Sequence, residues 1–302
     1  MEISIMTENG RKRTQVVAVG NQKGGVGKTA TAVHLATALG ELDRTSLLWD
    51  LDANSGLTNV FQIPTDVYTG SLEVLLGIKD EGEEFCDPRN YIIDEEEEGI
   101  ALPRGVHVLP ASRELDNLDI QWINSERKFE DVKDAIKDPL KRLDGQYDYI
   151  FLDTGPNVST CTVGAYKAAD WFLLVTEPEP LSVKAVEAAL SDIVMVQKAG
   201  NPSLNLLGIV LTCMTKRRSL DRKMRAWIEE NYEALGDSGL FDTTISRTTF
   251  LPRAQQSGQT LFQTMGDHEV CEQFRSLARE VENRIHSRDL EISAQGRGVS
   301  IG

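Results

Sequence analysis

Short, uninterrupted apolar runs alternate along this chain with stretches whose apolar residues recur every three or four positions. The runs occupy residues 16–19, 46–50, 106–112, 147–153, 171–176 and 206–212. Lacking the polar alternation of a half-exposed strand, they predict strands buried on both faces. Helical spacing follows in Val33, Leu35, Ala36 and Leu39, in Phe129, Val132, Ile136, Leu140 and Leu143, over residues 183–198, and in Val270, Phe274, Leu277, Val281 and Ile285. A shorter helix is framed by Ser71 as its cap and Gly77 as its stop. Strand and helix in alternation predict an α/β fold, a mostly parallel sheet covered by helices on both faces.

Between the first strand and the first helix lies Gly20-Asn21-Gln22-Lys23-Gly24-Gly25-Val26-Gly27-Lys28-Thr29-Ala30. Glycines there allow backbone N–H groups to close on phosphate oxygens at a helix N-terminus, where side chains would block the approach. Lys28 is placed to reach the outer phosphates and Thr29 to hold Mg²⁺. Gln22 stands where the strict phosphate-loop pattern has its first glycine, so strand, loop and helix context carries the assignment. The cradle predicted is Gly24, Gly25, Val26, Gly27, Lys28, Thr29 and Ala30. Two further strands end in acids, at Asp50-Leu51-Asp52 and at Asp153, and open α/β sheets place ligands at strand carboxyl ends.

Lys23, a second lysine within the loop, makes Lys-Gly-Gly-Val-Gly-Lys-Thr similar to the deviant Walker A motif of the ParA/MinD group of P-loop NTPases, and Asn21-Gln22 resembles its ParA branch. The resemblance covers about residues 15–286 and implies ATP/ADP and Mg²⁺ as ligands. It implies too that Lys23 contacts phosphates bound by the partner subunit in an ATP-bound homodimer. Residues 50–58 resemble the family's Asp-x-Asp-Pro-Gln-Gly-Asn-x-Thr switch I, with Ala53, Asn54 and Gly56 as departures. By that likeness Asp52 positions the attacking water, Asp50 supports the metal and phosphate shell, and Lys23, Lys28 and Asp52 form the catalytic set. Asp153 is the Walker B acid, binding Mg²⁺ with Thr29 and Asp50, and Gly155 replaces the first proline of the usual Asp-x-Pro-Pro. Ile245-Ser246-Arg247 resembles the segment near which the family holds adenine, so Ser246 and Arg247 form one wall and Thr212 and Met214 the other. A basic residue common in that stretch is Phe250 here.

The chain has 302 residues and a formal net charge of −15, which argues against a globally basic nucleic-acid binder but not against a local patch. Such a patch exists: Lys216, Arg217, Arg218, Arg222, Lys223 and Arg225 are opposed by Asp221 alone. It reads either as a solvated helix face or as a surface tracking DNA phosphates, and the second is favoured. Ten acidic residues against Arg89 between 80 and 98 mark an acidic insertion over about 79–99, read as a solvated loop, with docking of a partner as the alternative. Cys86, Cys161, Cys213 and Cys271 are widely spaced, without a zinc or disulfide pattern. No run approaches a membrane span and residues 1–13 lack the apolar centre of a signal peptide, so a cytoplasmic protein is expected.

The expected organisation is a flexible segment 1–13, one ATPase domain over 14–286, and a flexible tail 287–302. The expected activity is hydrolysis of ATP by a dimer that binds nonspecific DNA, is stimulated by a ParB-like or other adaptor, and moves a plasmid, a chromosomal locus or protein cargo. A MinD-like membrane-associated ATPase is the alternative, disfavoured because no basic amphipathic stripe closes the sequence. A nucleotide-driven iron–sulfur reductase, which needs two cysteines near a dimer axis, is the more distant one.

Overall fold

Apolar runs with nowhere polar to point can satisfy their backbones only inside a sheet whose two faces are both covered. In the computed structural model they do so as β1 (Gln15–Gly20), β2 (Ser46–Leu51), β3 (Val106–Leu109), β4 (Tyr149–Thr154), β5 (Trp171–Thr176) and β6 (Asn205–Met214), joined by β7 (Leu240–Ser246). The structure describes residues 13–297 apart from 69, 79–85, 95–96, 98, 119, 121–131, 181, 216–217, 233–234 and 236–238. The seven strands lie in the order β3-β2-β4-β1-β5-β6-β7, and every neighbouring pair is parallel. All residues of β1, β2, β4 and β5 are buried.

Period-two alternation assigns the side chains to two apolar layers. Val16, Ala18, Leu47, Trp49, Ile150, Leu152, Phe172 and Leu174 face one layer. There they meet α4 (Val132–Leu143), α5 (Thr160–Ala168) and α6 (Ser182–Lys198) through residues such as Ile136, Ala165 and Val186. Val17, Val19, Leu48, Phe151, Leu173 and Val175 face the other. That layer is closed by α1 (Lys28–Gly40) and α10 (Glu269–Arg297) through Leu35, Leu39, Phe274, Leu277 and Val281.

Because α10 covers its outer side, α1 is buried almost all round, and its one histidine must be satisfied within the core. His34 is 0% exposed and stacks on Phe274 with ring centroids 5.1 Å apart. The amide of Leu261, the first residue of α9 (Leu261–Met265), donates to His34 Nε2 at 3.1 Å. This fixes Nε2 as the bare nitrogen, so Nδ1–H donates to the Ala30 carbonyl at 2.8 Å.

Two elements differ from the sequence expectation. Strand β7 escapes the apolar-run criterion because Asp242, Thr243 and Thr244 occupy its middle; as an edge strand it needs only Phe241 and Ile245 inward. The last helix continues to Arg297, through part of the segment expected to be a loose tail. Residues 287–295 contain neither proline nor glycine, so nothing in them stops a helix already under way. Of the acidic insertion, residues 79–85, 95–96 and 98 lie outside the described residues. Its apolar centre does not remain a loop: Ile93 exchanges two backbone hydrogen bonds of 2.8 Å with Val108 and so covers the free edge of β3.

Burial pushes the His34 imidazole down from 6.5 to about 4. The folded state thus refuses a proton that the unfolded chain accepts, so this contribution to stability is full above pH 6.5 and is lost as pH falls towards 4. The limiting loss is on the order of 3 kcal/mol. Urea unfolding of the parent and His34→Gln between pH 7 and pH 4 should show the parent losing stability more steeply; parallel curves would acquit His34.

Candidate functional site

The carboxyl ends of β1, β2 and β4, brought side by side by the register Asp50↔Asp153 and Val19↔Asp153, collect the chemistry. The loop leaving β1 is held open by its own residues. Asn21 Nδ2 donates to the Val175 carbonyl at 2.7 Å, and Asn21 Oδ1 accepts from the Lys23 amide at 2.8 Å. Thr212 Oγ1 donates to the Val26 carbonyl at 2.7 Å. Gly25 (φ 76°) and Gly27 (φ 87°) take left-handed backbone conformations that a side chain would strain. Gly27 is also the N-cap of α1 and no side chain caps that terminus, so the helix opens towards the loop.

Lys28 is 7% exposed, and its ammonium donates only a long 3.4 Å bond to the Lys23 carbonyl. Burial lowers its pKa, while Asp153 and Asp52 oppose that shift. Among the described residues no carboxylate lies within ion-pair distance of it. A buried cation without a partner is costly, and an anion in the loop would relieve it.

Asp153 is 1% exposed; Oδ2 accepts from Thr29 Oγ1 at 2.7 Å and Oδ1 has no hydrogen-bond partner. Burial, reinforced by the neighbouring Asp50 charge, pushes this carboxyl up to about 8. Asp50 is also fully buried and raised by burial, to about 6. Its oxygens are occupied, Oδ2 by the amide and hydroxyl of Thr58 at 2.9 and 2.7 Å, Oδ1 by the Asp52 amide at 3.1 Å. Asp50 therefore braces the 52–58 loop from behind, while Asp153 and Thr29 present an oxygen pair towards the loop. Such oxygens suit a hard divalent cation. Among the described residues no cluster of three or more His, Cys, Asp or Glu could hold a metal by itself, so a cation here would also draw on ligand oxygens.

Lys28, Thr29 and Asp52 border a cavity of about 640 Å³, while Asp50 and Asp153 are buried and are not part of its lining. Gly24, Gly25, Gly27, Lys28, Thr29, Ala30 and Asp52 line one part, Ser246 and Arg247 another, and Thr212 stands beside Gly27 between them. Met214, expected with Thr212 on one wall, is instead 8% exposed and packed in the core; Cys213, whose left-handed backbone (φ 53°) interrupts the alternation of the strand, lines the cavity beside Thr212 in its place. Val26 is likewise turned into the protein, at 1% exposure. Sequence reasoning missed Leu251 and Pro252 of α8 (Phe250–Gln255), which add apolar surface to the cavity. A separate cavity of about 250 Å³ between α5 and α6 is almost wholly apolar in lining and lacks the glycine loop, so it has no means of taking a polyanion.

Lys23 is not part of the cavity lining. Its ammonium lies 2.6 Å from Glu179 and 3.5 Å from Glu177, and the Glu179 hydrogen bond raises its pKa. Arg247 reaches Glu177 as well, at 3.6 Å.

The basic island divides. Lys216 and Arg217 lie outside the described residues. Arg218, just before α7 (Ser219–Tyr232), is half exposed and 3.5 Å from buried Asp221. Arg222 and Lys223 are exposed. Arg225 is engaged within the chain, 2.8 Å from Glu229 and donating to the Asp242 carbonyl at 3.1 Å; it is the member least able to meet an outside phosphate.

Comparison with known proteins agrees with this geometry. The family model described as AAA domain matches residues 14–206. A chromosome partitioning protein ParA of Myxococcus xanthus is 27% identical over 272 residues, covering 89% of this chain and 88% of that protein. The chromosome-partitioning ATPase Soj of Thermus thermophilus is 29% identical over 276 residues, 91% of this chain and 98% of that one. Among solved structures, cobyrinic acid a,c-diamide synthase from Mycobacterium smegmatis with bound ATP analogue and magnesium superposes with a TM-score of 0.72 at 28% identity, covering 88% of this chain and 93% of that one. With a glycine loop at the end of β1 and acids at the ends of β2 and β4, the chain belongs to the AAA domain family and is similar over most of its length to the ParA and Soj proteins.

Proposed function

We propose that the chain is a Mg²⁺-dependent ATPase that dimerises on ATP, holds nonspecific DNA in that state, and positions a plasmid, a chromosomal locus or protein cargo, with a partner protein stimulating hydrolysis. The observation that carries the reading is the pairing of an unneutralised, buried Lys28 with the orphaned Asp153 oxygen at the mouth of a glycine loop. A phosphate chain with its metal satisfies both at once, which neither a simple anion nor a bare cation does.

In this mechanism Lys28 and the loop amides bind the outer phosphates; Thr29 and Asp153 would hold Mg²⁺, which when bound would neutralise phosphate charge. Asp52 orients a water whose oxygen bonds to the terminal phosphorus as the bond to the bridging oxygen breaks, leaving ADP and phosphate. Thr212, Ser246 and Arg247 border the space for the base. The names of the relatives support the partition role, and the exposed cations of α7 support the DNA role. A MinD-like membrane role is separated by pelleting with DNA or with anionic liposomes in the presence of ATP. No helix among the described residues is long and apolar enough to cross a membrane.

Lys28→Ala should lose ATP binding by a hundredfold or more, about 3 kcal/mol, since it removes the main cation from the outer phosphates. Calorimetry giving the parent affinity would remove the phosphate-loop assignment.

Lys23→Ala should bind ATP nearly as the parent does yet stay monomeric, because its ammonium is proposed to act across the interface. Light scattering with ATP decides this, and a normal dimer would return Lys23 to its contacts with Glu177 and Glu179.

Reversing Arg222 and Lys223 to Glu should weaken DNA binding and flatten its salt dependence. With two cations removed from each subunit of a dimer, the slope of log affinity against log salt should become shallower by roughly 3 to 4. ATP-driven dimerisation should be unaffected. An unchanged slope would leave α7 a solvated face.

A further inference from the structure

Asn54 and Gly155 are two of the places where the phosphate-site loops depart from the pattern they resemble, and the fold brings both onto one carboxylate. The Asn54 amide donates to Asp52 Oδ1 at 3.0 Å, and the Asn54 side-chain Nδ2 donates to the same oxygen at 2.9 Å. Asp52 Oδ2 accepts no hydrogen bond among the described residues, so the carboxylate is anchored by one oxygen and presents the other. Gly155, which follows Asp153 by two residues, packs against the same oxygen: a Cβ on it would stand 3.1 Å from Asp52 Oδ1 and 3.2 Å from its Cγ. Side chains rarely meet that closely, so any residue but glycine would push Asp52 by a few tenths of an ångström or turn it about its own bond.

We propose that Asn54 and Gly155 are positioning residues that set the rate of ATP hydrolysis by fixing Asp52. Asn54 pins Oδ1 and thereby aims Oδ2, and Gly155 supplies the room in which that aim is possible. The inference rests on the reading of Asp52 as the residue that orients water. Asn54 is exposed, and Gly155 does not have the positive φ that would forbid alanine, so both can be replaced without straining the backbone. Neither touches Lys28 or Thr29 by hydrogen bond, so nucleotide affinity should not follow the rate. The displacement expected is a fraction of an ångström, and since 1 Å of misplacement can cost about a hundredfold, a roughly tenfold loss is expected.

Single-turnover ATP hydrolysis and ATP affinity should be measured for Asn54→Ala and Gly155→Ala, each alone and combined with Asp52→Ala. The expected result is a rate lowered roughly tenfold in each single variant, with ATP affinity within twofold of the parent, and no further loss when either change is added to Asp52→Ala. Parent-like rates in both single variants alongside a slow Asp52→Ala would overturn the proposal while sparing the role of Asp52. The same tenfold loss persisting on top of Asp52→Ala would overturn it too, by showing an effect that bypasses the carboxylate. Parent-like hydrolysis by Asp52→Ala would instead remove the reading on which the proposal stands.

Discussion

Two carboxylates buried one strand apart are the constraint around which this molecule is arranged. Asp50 and Asp153 are register partners on β2 and β4 and are almost completely excluded from water. Transferring even one unpaired carboxylate into such surroundings costs several kcal/mol. Hydrogen bonds to Thr58 and to the Asp52 amide compensate Asp50, and in doing so they tie the loop after β2 to the sheet. Asp153 accepts a hydrogen bond only from Thr29 among the described residues, leaving its other oxygen unmet, with the Lys28 charge as its further support. The remaining deficit lies beside Lys28 and the glycine loop, so the electrostatic imbalance that costs the fold stability would give a metal-bound polyphosphate its hold. Stability and binding are opposed at this point, as is common where sites store unsatisfied charge.

The sheet explains why so much of this was legible. Strands buried on both faces must be apolar throughout, so β1, β2, β4 and β5 announce themselves, and a polar residue at their ends must have a use. Asp153 and the glycine loop could be read for that reason. What escaped reading depends on contacts distant in sequence. Strand β7 needs only two inward residues once it lies at an edge. Met214 and Cys213 exchange roles because Cys213 takes a left-handed backbone conformation (φ 53°) where β6 shifts register against β7, which a simple alternation of faces does not foresee. Arg225 counts as a free cation until Glu229 and the Asp242 carbonyl appear beside it. The approach of Gly155 to Asp52 joins loops about a hundred residues apart, and no local pattern encodes it.

Net charge illustrates how far averages mislead. At −15 the chain repels DNA as a whole, yet screening limits that repulsion to roughly 8 Å at physiological salt. Exposed cations on one helix can therefore act locally while acidic segments beyond that distance go unfelt. The acids over 80–98 follow another logic: their apolar centre is used to cover the edge of β3, where an uncovered strand invites pairing with other chains.

The position of Lys23 can be weighed in the same way. Glu179 at 2.6 Å and Glu177 at 3.5 Å hold it within its own subunit. All three side chains are partly open to water, at 32% for the lysine, 38% for Glu179 and 12% for Glu177, and ion pairs of this exposure are worth about 0–1 kcal/mol. Charge-assisted contact with a phosphate group excluded from water is roughly twice as strong as an ordinary hydrogen bond. In the proposed ATP dimer the lysine therefore gains by exchanging its carboxylates for the phosphate, and its contacts in the single chain park it at little cost. A lysine held more tightly, by a fully buried acid, could not be transferred across an interface by one nucleotide.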